Sequence, residues 1–473
     1  MSTILQVLTA AECNQVHEKT LELLTRTGVR VDSRRGHQLL QEAGAISAGT
    51  ANILCLPPEL VESTLELAPR DFTLGGRRSG WSLPMNTRQC TLVADGGAIY
   101  TLEMGNSKRR AATFTDWLQA TWLTDAMDEF GCYWGVVEDV FGTRQVDLVT
   151  HWVEIFRNFT KHVQESTSKP EEVRWLKEIL QIVFGPREEI CRLHPVSFLL
   201  CPSSPLVIEA DYTDAYLETI GLDIPAAIMP MPLLGSTGPG TLISNLVLAN
   251  CEALAMICLI QVAQPKTPII YAPIPAISNP YSGRYGSGEV EHALMGAAVT
   301  EMARYYNLPV EASAGGSDQH VPSIQAGYER ALNFILPVLS KPDLLVAPGL
   351  LGGSMIFSPE QFIIDLEIVR RCWRLARGIN TAAEEWLEEA ISHVGPGGNF
   401  LAQRSTRTAL RTGELYLSHL GYHEPYERWE AQNRPDILDE ARDQYHRIID
   451  AHQPLPFDDE VDQELRKLQE SAS

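Results

Sequence analysis

The chain has 473 residues, and its 60 Asp and Glu against 38 Lys and Arg give a formal charge of −22. That field repels phosphate polymers and anionic lipid surfaces, so neither nucleic acid nor a membrane is an expected partner. With 44% hydrophobic and 21% charged residues, the composition suits a chain that buries a real core, and it excludes disordered, collagen-like and coiled-coil proteins.

Residues 1–90 read as a helical N-terminal extension. Leu8-Thr9-Ala10-Ala11-Glu12 is a capped helix start, and a second helical pattern from Gly36 to Ala43 ends at Gly44. The first ten residues lack a basic region followed by an apolar one, and the nine Cys contain no C-x-x-C pair. Both features lead to the expectation of a cytoplasmic protein with reduced thiols.

From about residue 92 the texture changes to short apolar runs, each followed by a longer helical stretch. The runs are Leu92 to Tyr100, Cys132 to Val137, His162 to Ser166, Val196 to Cys201, Ala226 to Met231, Ile269 to Ile274, Val310 to Ala314 and Leu344 to Ala347. Helices are predicted near 113–127, 145–158, 170–184, 211–220, 240–264, 288–306, 323–340 and 359–377. Eight strand–helix repeats over residues 91–377 predict an α/β fold, a TIM (β/α)8 barrel, which typically takes about 250 residues. The first run could equally form a hairpin.

Thr241 to Ala263 approaches membrane-span length, but Asn245, Asn250, Glu252 and Gln261 interrupt it, so it is predicted as a buried helix. It is apolar around most of its circumference and needs a covering surface, either a partner subunit in a homo-oligomer or the terminal extensions. Residues 378–473 read as a C-terminal helical extension broken at Gly395-Pro396-Gly397-Gly398.

Chemistry in such a barrel belongs at the carboxyl ends of the strands. The residues there are Tyr100, Glu138-Asp139, Gln164-Glu165, Ser203-Ser204, Gly235 to Gly238, Tyr271, Ser313 to His320 and Gly349 to Phe357. Glycine-rich loops before helices can cradle anions with backbone N–H groups. No G-x-G-x-x-G or G-x-x-x-x-G-K-[ST] lies in a strand–turn–helix setting, which gives no support to a nucleotide cofactor. The 12 His form no H-x-H or H-E-x-x-H, and no G-x-S-x-G elbow is present, so no metal site or acyl nucleophile is expected. Cys251 and Cys258 read as core thiols. Tyr100, Tyr271, Tyr281, Tyr285 and Phe357 fall past strand ends, where rings could surround a cation, whereas Trp134 reads as core.

Several segments are similar to the trimethylamine methyltransferase superfamily. They are Gly315-Gly316-Ser317-Asp318-Gln319-His320 running on to Tyr328-Glu329, then Asp365-Leu366-Glu367-Ile368, Gly397-Gly398-Asn399-Phe400-Leu401 and Pro454 to Leu465. The N-terminal stretch Thr9 to Ala45 fits as well, so the likeness spans nearly the whole chain in order. Founding members carry pyrrolysine and pass a methyl group of trimethylamine to the Co(I) of a separate corrinoid protein. This sequence has only ordinary residues, so it resembles the non-pyrrolysine branch, which acts on quaternary amines such as glycine betaine, proline betaine and carnitine. Arg404-Ser405-Thr406 is a second departure, since many relatives carry a His before the Thr.

The resemblance implies an enzyme that demethylates a glycine betaine-like quaternary amine and hands the methyl to a cognate corrinoid protein, with no cofactor bound permanently. A quaternary ammonium leaves as a neutral tertiary amine, so orientation and electrostatics suffice without a covalent activator. Asp318, His320 and Glu165 are the expected catalytic residues. Substrate contacts are expected from Tyr100, Tyr271, Tyr281, Phe357, Gly352, Gly353, Ser317 and Gln164. Asp318-x-His320-x-x-Ser323 approaches the D-x-H-x-x-G loop of corrinoid carriers but ends in Ser, and it is read as pocket lining. Two other readings stay open: a non-catalytic betaine-binding or regulatory homologue, and a metal-dependent barrel lyase.

Overall fold

A computed structural model describes residues 6–49, 52–94, 96–138 and 148–472. Asp139 lies outside the described residues. Eight parallel strands form the centre: β1 (Thr91–Ala94), β2 (Phe130–Tyr133), β3 (His162–Gln164), β4 (Val196–Leu200), β5 (Ala226–Ile228), β6 (Ile269–Tyr271), β7 (Glu311–Ser313) and β8 (Leu344–Ala347). Each pairs in parallel with the next in sequence, and β8 returns to β1. Only β6 and β7 meet through a single bridge, Tyr271 to Val310, so the cylinder is nearly closed.

The following helices are α1 (Phe114–Ala126), α2 (Leu148–Asn158), α3 (Val173–Phe184), α4 (Ala210–Glu218), α5 (Leu242–Ala263), α6 (Val290–Tyr306), α7 (Ile324–Ser340) and α8 (Pro359–Arg377). Every predicted run overlaps its strand and every predicted helical stretch its helix. Local chemistry sets several starts. Thr113 and Asp116 form a capping box for α1, Ser323 caps α7 through Ala326 N, and Ser358 caps α8 with Pro359 in the first turn. The first run divides: Thr91–Ala94 enters the barrel, while Tyr100–Leu102 pairs with Arg109–Ala111 as a hairpin above it.

Strand parity separates the two sides of the wall. Val93, Cys132, Leu199, Ala227, Ile270, Ala272, Leu344 and Val346 share the inner core with Met229 and Trp134. A hairpin of Thr73–Gly75 with Ser82–Pro84 contributes Leu74 and Leu83 to the same cluster, where they fill the amino-terminal end of the barrel. Phe198, Ala226, Ile228 and Tyr271 pack outward against the helices.

α5 is long and apolar enough to cross a membrane by length and composition, yet it is a buried helix here. Helices Ala10–Arg26, Arg34–Glu42 and Pro58–Leu67 cover it, so the N-terminal segment takes up its apolar surface. Its polar interruptions all find partners inside the fold. Asn250 donates to Thr20 Oγ1 and Tyr306 OH at 2.8 Å each, Asn245 to the Pro232 and Ala276 carbonyls, and Gln261 to the Thr267 carbonyl. Glu252 accepts from Ser204 Oγ and Leu206 N, both at 2.8 Å. Near the other terminus, helix Ile437–Ala451 packs on α8 and α1, and helix Asp459–Ala472 packs on α2 and α3. The nine cysteines are all free.

Candidate active site at the carboxyl mouth

Two carboxylate groups flank the carboxyl end of the barrel. On the β2–β3 side, Glu165 follows β3, with Oε2 3.7 Å from His151 Nε2 of α2. Partial burial and the neighbouring Glu165 push Glu138 above the ordinary carboxylate value, against the opposing pull of His151. On the β6–β8 side, burial raises the Glu289 carboxyl, reinforced by Asp318, Glu291 and Glu329.

Between them the interior is polar at one layer and aromatic above it. Gln164 Nε2 donates to Glu311 Oε2 at 2.7 Å across the barrel, and both side chains have 0% exposure. Gln164 Oε1 and Glu311 Oε1 have no partner among the described residues, and burial lifts Glu311 to about 7. His292 Nε2 lies 3.0 Å from Ser313 Oγ, and burial pushes this imidazole down to about 4. Trp134 and Tyr285 are half-buried rings that pack with the inner cluster, and Tyr285 meets His292 edge-on at 5.8 Å. Gly96 makes room for the indole: a Cβ there would fall 2.4 Å from Trp134 Nε1.

The loops after β6, β7 and β8 interlock. Asp318 accepts from Gly288 N at 3.1 Å and from Asn279 Nδ2 at 3.3 Å, tying the β6–α6 loop to its own. The approach is so close that a Cβ at Gly316 would sit 2.1 Å from the Ser287 carbonyl. Ser317 Oγ donates to Glu329 Oε2 at 2.7 Å. His320 is exposed beside Gly352.

Asp318, His320, Ser317, Gly352 and Gly353 are thus gathered on one side of the mouth, and Gln164 and Glu165 on the other. Four expectations need correction. Tyr271 has 0% exposure and faces outward, its hydroxyl donating to Asn250 Oδ1 at 2.8 Å, because Ile270 and Ala272 hold the inward parity. Phe357 is buried against Phe362 of α8, behind the wall. Tyr281 is 97% exposed and forms no wall of the mouth. The Gly352 and Gly353 amides are no anion cradle, since they donate to the Gln319 and Ser317 carbonyls at 2.9 and 3.2 Å. Tyr100 lies in the overlying hairpin with the Arg109 guanidinium 4.3 Å from its ring centre, so its own chain supplies a cation to one face.

Trp134, Glu311, Glu289, His292 and Glu329 escaped the sequence reading as site residues, and parity could have found the first two. Trp134 stands two residues after inward Cys132, and Glu311 two before Ser313, in an otherwise apolar run. Among the described residues, no group of three or more His, Cys, Asp or Glu side chains is arranged to hold a metal ion.

Trimethylamine methyltransferase MttB of Desulfitobacterium hafniense (strain DSM 10664 / DCB-2) is 26% identical over 97% of this chain and 92% of its own length. Glycine betaine methyltransferase of Desulfitobacterium hafniense (strain Y51) is 27% identical over 97% and 95%. Among solved structures, the monomethylamine methyltransferase of Methanosarcina barkeri is similar at a TM-score of 0.48 and 11% identity, over 92% of both chains. The family model described as trimethylamine methyltransferase (MTTB) matches residues 2–470, and the chain belongs to that family.

Proposed function

We propose that the protein takes one methyl group from a quaternary amine of the glycine betaine kind and transfers it to the Co(I) of a separate corrinoid protein. The observation that carries this reading is the mouth itself: Trp134 and Tyr285 turned inward, between Glu138 and Glu165 on one side and Glu289, Asp318 and Glu329 on the other. Such a field draws a small cation in, and ring faces bind N-methyl groups.

The arrangement suits the chemistry. The N–CH3 bond breaks with its electron pair left on nitrogen, so the positive charge vanishes from the amine as the methyl moves. The cobalt(I) of a docked corrinoid protein would supply the electron pair for the new bond to the methyl carbon. A carboxylate touching the ammonium would hold the starting cation more strongly than the transition state and slow the step. Rings in contact, with acids behind them, attract the substrate with a smaller penalty than a carboxylate in direct contact. The chain's remaining task is to aim one methyl outward and keep the nitrogen in line.

The test is turnover. Purified protein with a Co(I) corrinoid protein should form methyl-Co(III) with at least one of glycine betaine, proline betaine or carnitine, and none with trimethylamine. Turnover of trimethylamine alone, or betaine binding without a change in the cobalt spectrum, would overturn the reading. Trp134→Ala and Tyr285→Ala should each weaken betaine binding by about 1–2 kcal/mol in calorimetry. Gly96→Ala should act like Trp134→Ala by displacing the indole, whereas Tyr271→Phe should leave the affinity unchanged.

A further inference from the structure

Between α8 and the helix Ile437–Ala451 the chain leaves the body of the protein, and no residue from Arg377 through His419 is buried. The segment is nevertheless built. It contains helices Glu388–Val394 and Arg404–Thr412, and Thr406 Oγ1 donates to the Phe400 carbonyl at 2.7 Å. Both of its ends are fixed to α8, the first by Arg374 Nη1, which donates to the Gly378 carbonyl at 2.9 Å. Arg374 Nη2 donates to the Glu414 carbonyl at 2.6 Å, while Tyr416 OH and Ser418 Oγ donate to Glu367 at 2.8 and 2.7 Å.

Its apolar side chains stand in water: Ile379 is 76% exposed, Trp386 62%, Ile391 61% and Leu401 83%, with Leu410, Leu415 and Leu417 also exposed. An anchored arm carrying this many exposed large apolar groups marks an interaction surface. Its charge says which one. The first half holds Glu384, Glu385, Glu388 and Glu389, and the second half holds Arg404, Arg407 and Arg411 with no acid between them. A two-fold interface must be complementary to itself, and an arm acidic at one end and basic at the other meets that condition when two run antiparallel. Residues 378–418 exceed the roughly 20–30 residues per side of a standard interface.

We propose that two copies of this chain pair through these arms about a two-fold axis, the acidic half of each against the basic half of the other, with Trp386, Ile391 and Leu401 in the dry centre. Sedimentation of the full chain over a wide concentration range tests this. Wild type should sediment as a dimer or a multiple of one. Ile391→Glu with Leu401→Glu should raise the dissociation constant at least about 100-fold, the scale of losing buried anchors, with an unchanged circular dichroism spectrum because both side chains are exposed in the monomer. Arg407→Glu with Arg411→Glu should also weaken pairing, and adding Glu388→Arg with Glu389→Arg in the same chain should restore it. A monomer at every concentration, a dimer indifferent to Leu401→Glu, a reversal that restores nothing, or assembly seen only after a corrinoid protein is added would each overturn the proposal.

Discussion

Asp365→Ala is expected to cost about 3–5 kcal/mol of folding stability, because it strands a buried cation. Arg330 of α7 and Asp365 of α8 pair at 2.9 Å with side-chain exposures of 2% and 0%. Arg330 Nε and Nη2 lack partners among the described residues, and the Asp365 carboxylate is the ion-pair partner of this guanidinium there. Asp365 also accepts from Gly349 N and from Gln361 Nε2, each at 2.7 Å, which fastens the loop after β8 to α8. Complete burial holds its carboxyl above the ordinary value even beside Arg330, a sign of how costly desolvation is at this place. The double replacement Arg330→Met with Asp365→Leu should therefore recover most of the loss, leaving about 1–2 kcal/mol for the unpaired Gly349 amide. Urea unfolding of the three variants checks this. A single-variant cost under about 1 kcal/mol would show that the pair is solvated in solution.

The barrel was legible because its strands are buried on both faces and so appear as apolar runs, and because each helix that follows carries a stop or start signal of its own. Gly-rich and Pro-bounded punctuation then fixed the rhythm. The site was legible only in part, for two physical reasons. Strand parity decides which side of the wall a ring occupies, and parity is readable. Placing Tyr271 with inward Ile270 and Ala272 would have excluded it, and the same count turns Trp134 and Glu311 inward. The second reason leaves no local trace. Gly352 and Gly353 look like an anion cradle until the β7–α7 loop arrives to take their amides, and Phe357 looks free until Phe362 covers it. Nothing near residue 352 encodes the arrival of residues 317–319. The covering of α5 was similarly open between a partner subunit and the chain's own ends. It was settled by the N-terminal helices, with Thr20 positioned to satisfy Asn250.

Glu252 and Glu311 should each cost the folded protein stability as pH rises from about 5 to 8, opposed below about 6.5 by the buried imidazoles of His162 and His292, which burial pushes down to about 3 and about 4, and Glu252→Gln and Glu311→Gln should each remove that residue's share of the loss. Burial lifts both carboxyls from 4.5 to about 7, against opposing hydrogen bonds from Leu206 N and Ser204 Oγ to Glu252 and from Gln164 Nε2 to Glu311. Below pH 4.5 both the folded and the unfolded chain hold these protons, so the groups are neutral in the balance. Between 4.5 and about 7 the unfolded chain releases them while the folded chain keeps them, and stability falls with each step in pH. Above about 7 the full difference, on the order of 3 kcal/mol per group at 1.36 kcal/mol per pKa unit, persists. A glutamine at either position should raise urea-derived stability at pH 8 relative to pH 5 by about 2–3 kcal/mol compared with wild type, and a variant parallel to wild type would refute the assignment for that residue. Glu311 extends the argument to the site. A cation held in the mouth above it favours the ionised carboxyl, so betaine binding should release a proton and tighten as pH rises through about 7. Glu311→Gln should abolish that dependence while leaving the contribution of the Trp134 and Tyr285 rings in place. Calorimetric titration in buffers of different ionisation enthalpy measures the released proton directly, and its absence in wild type would place the bound ammonium out of reach of the barrel floor.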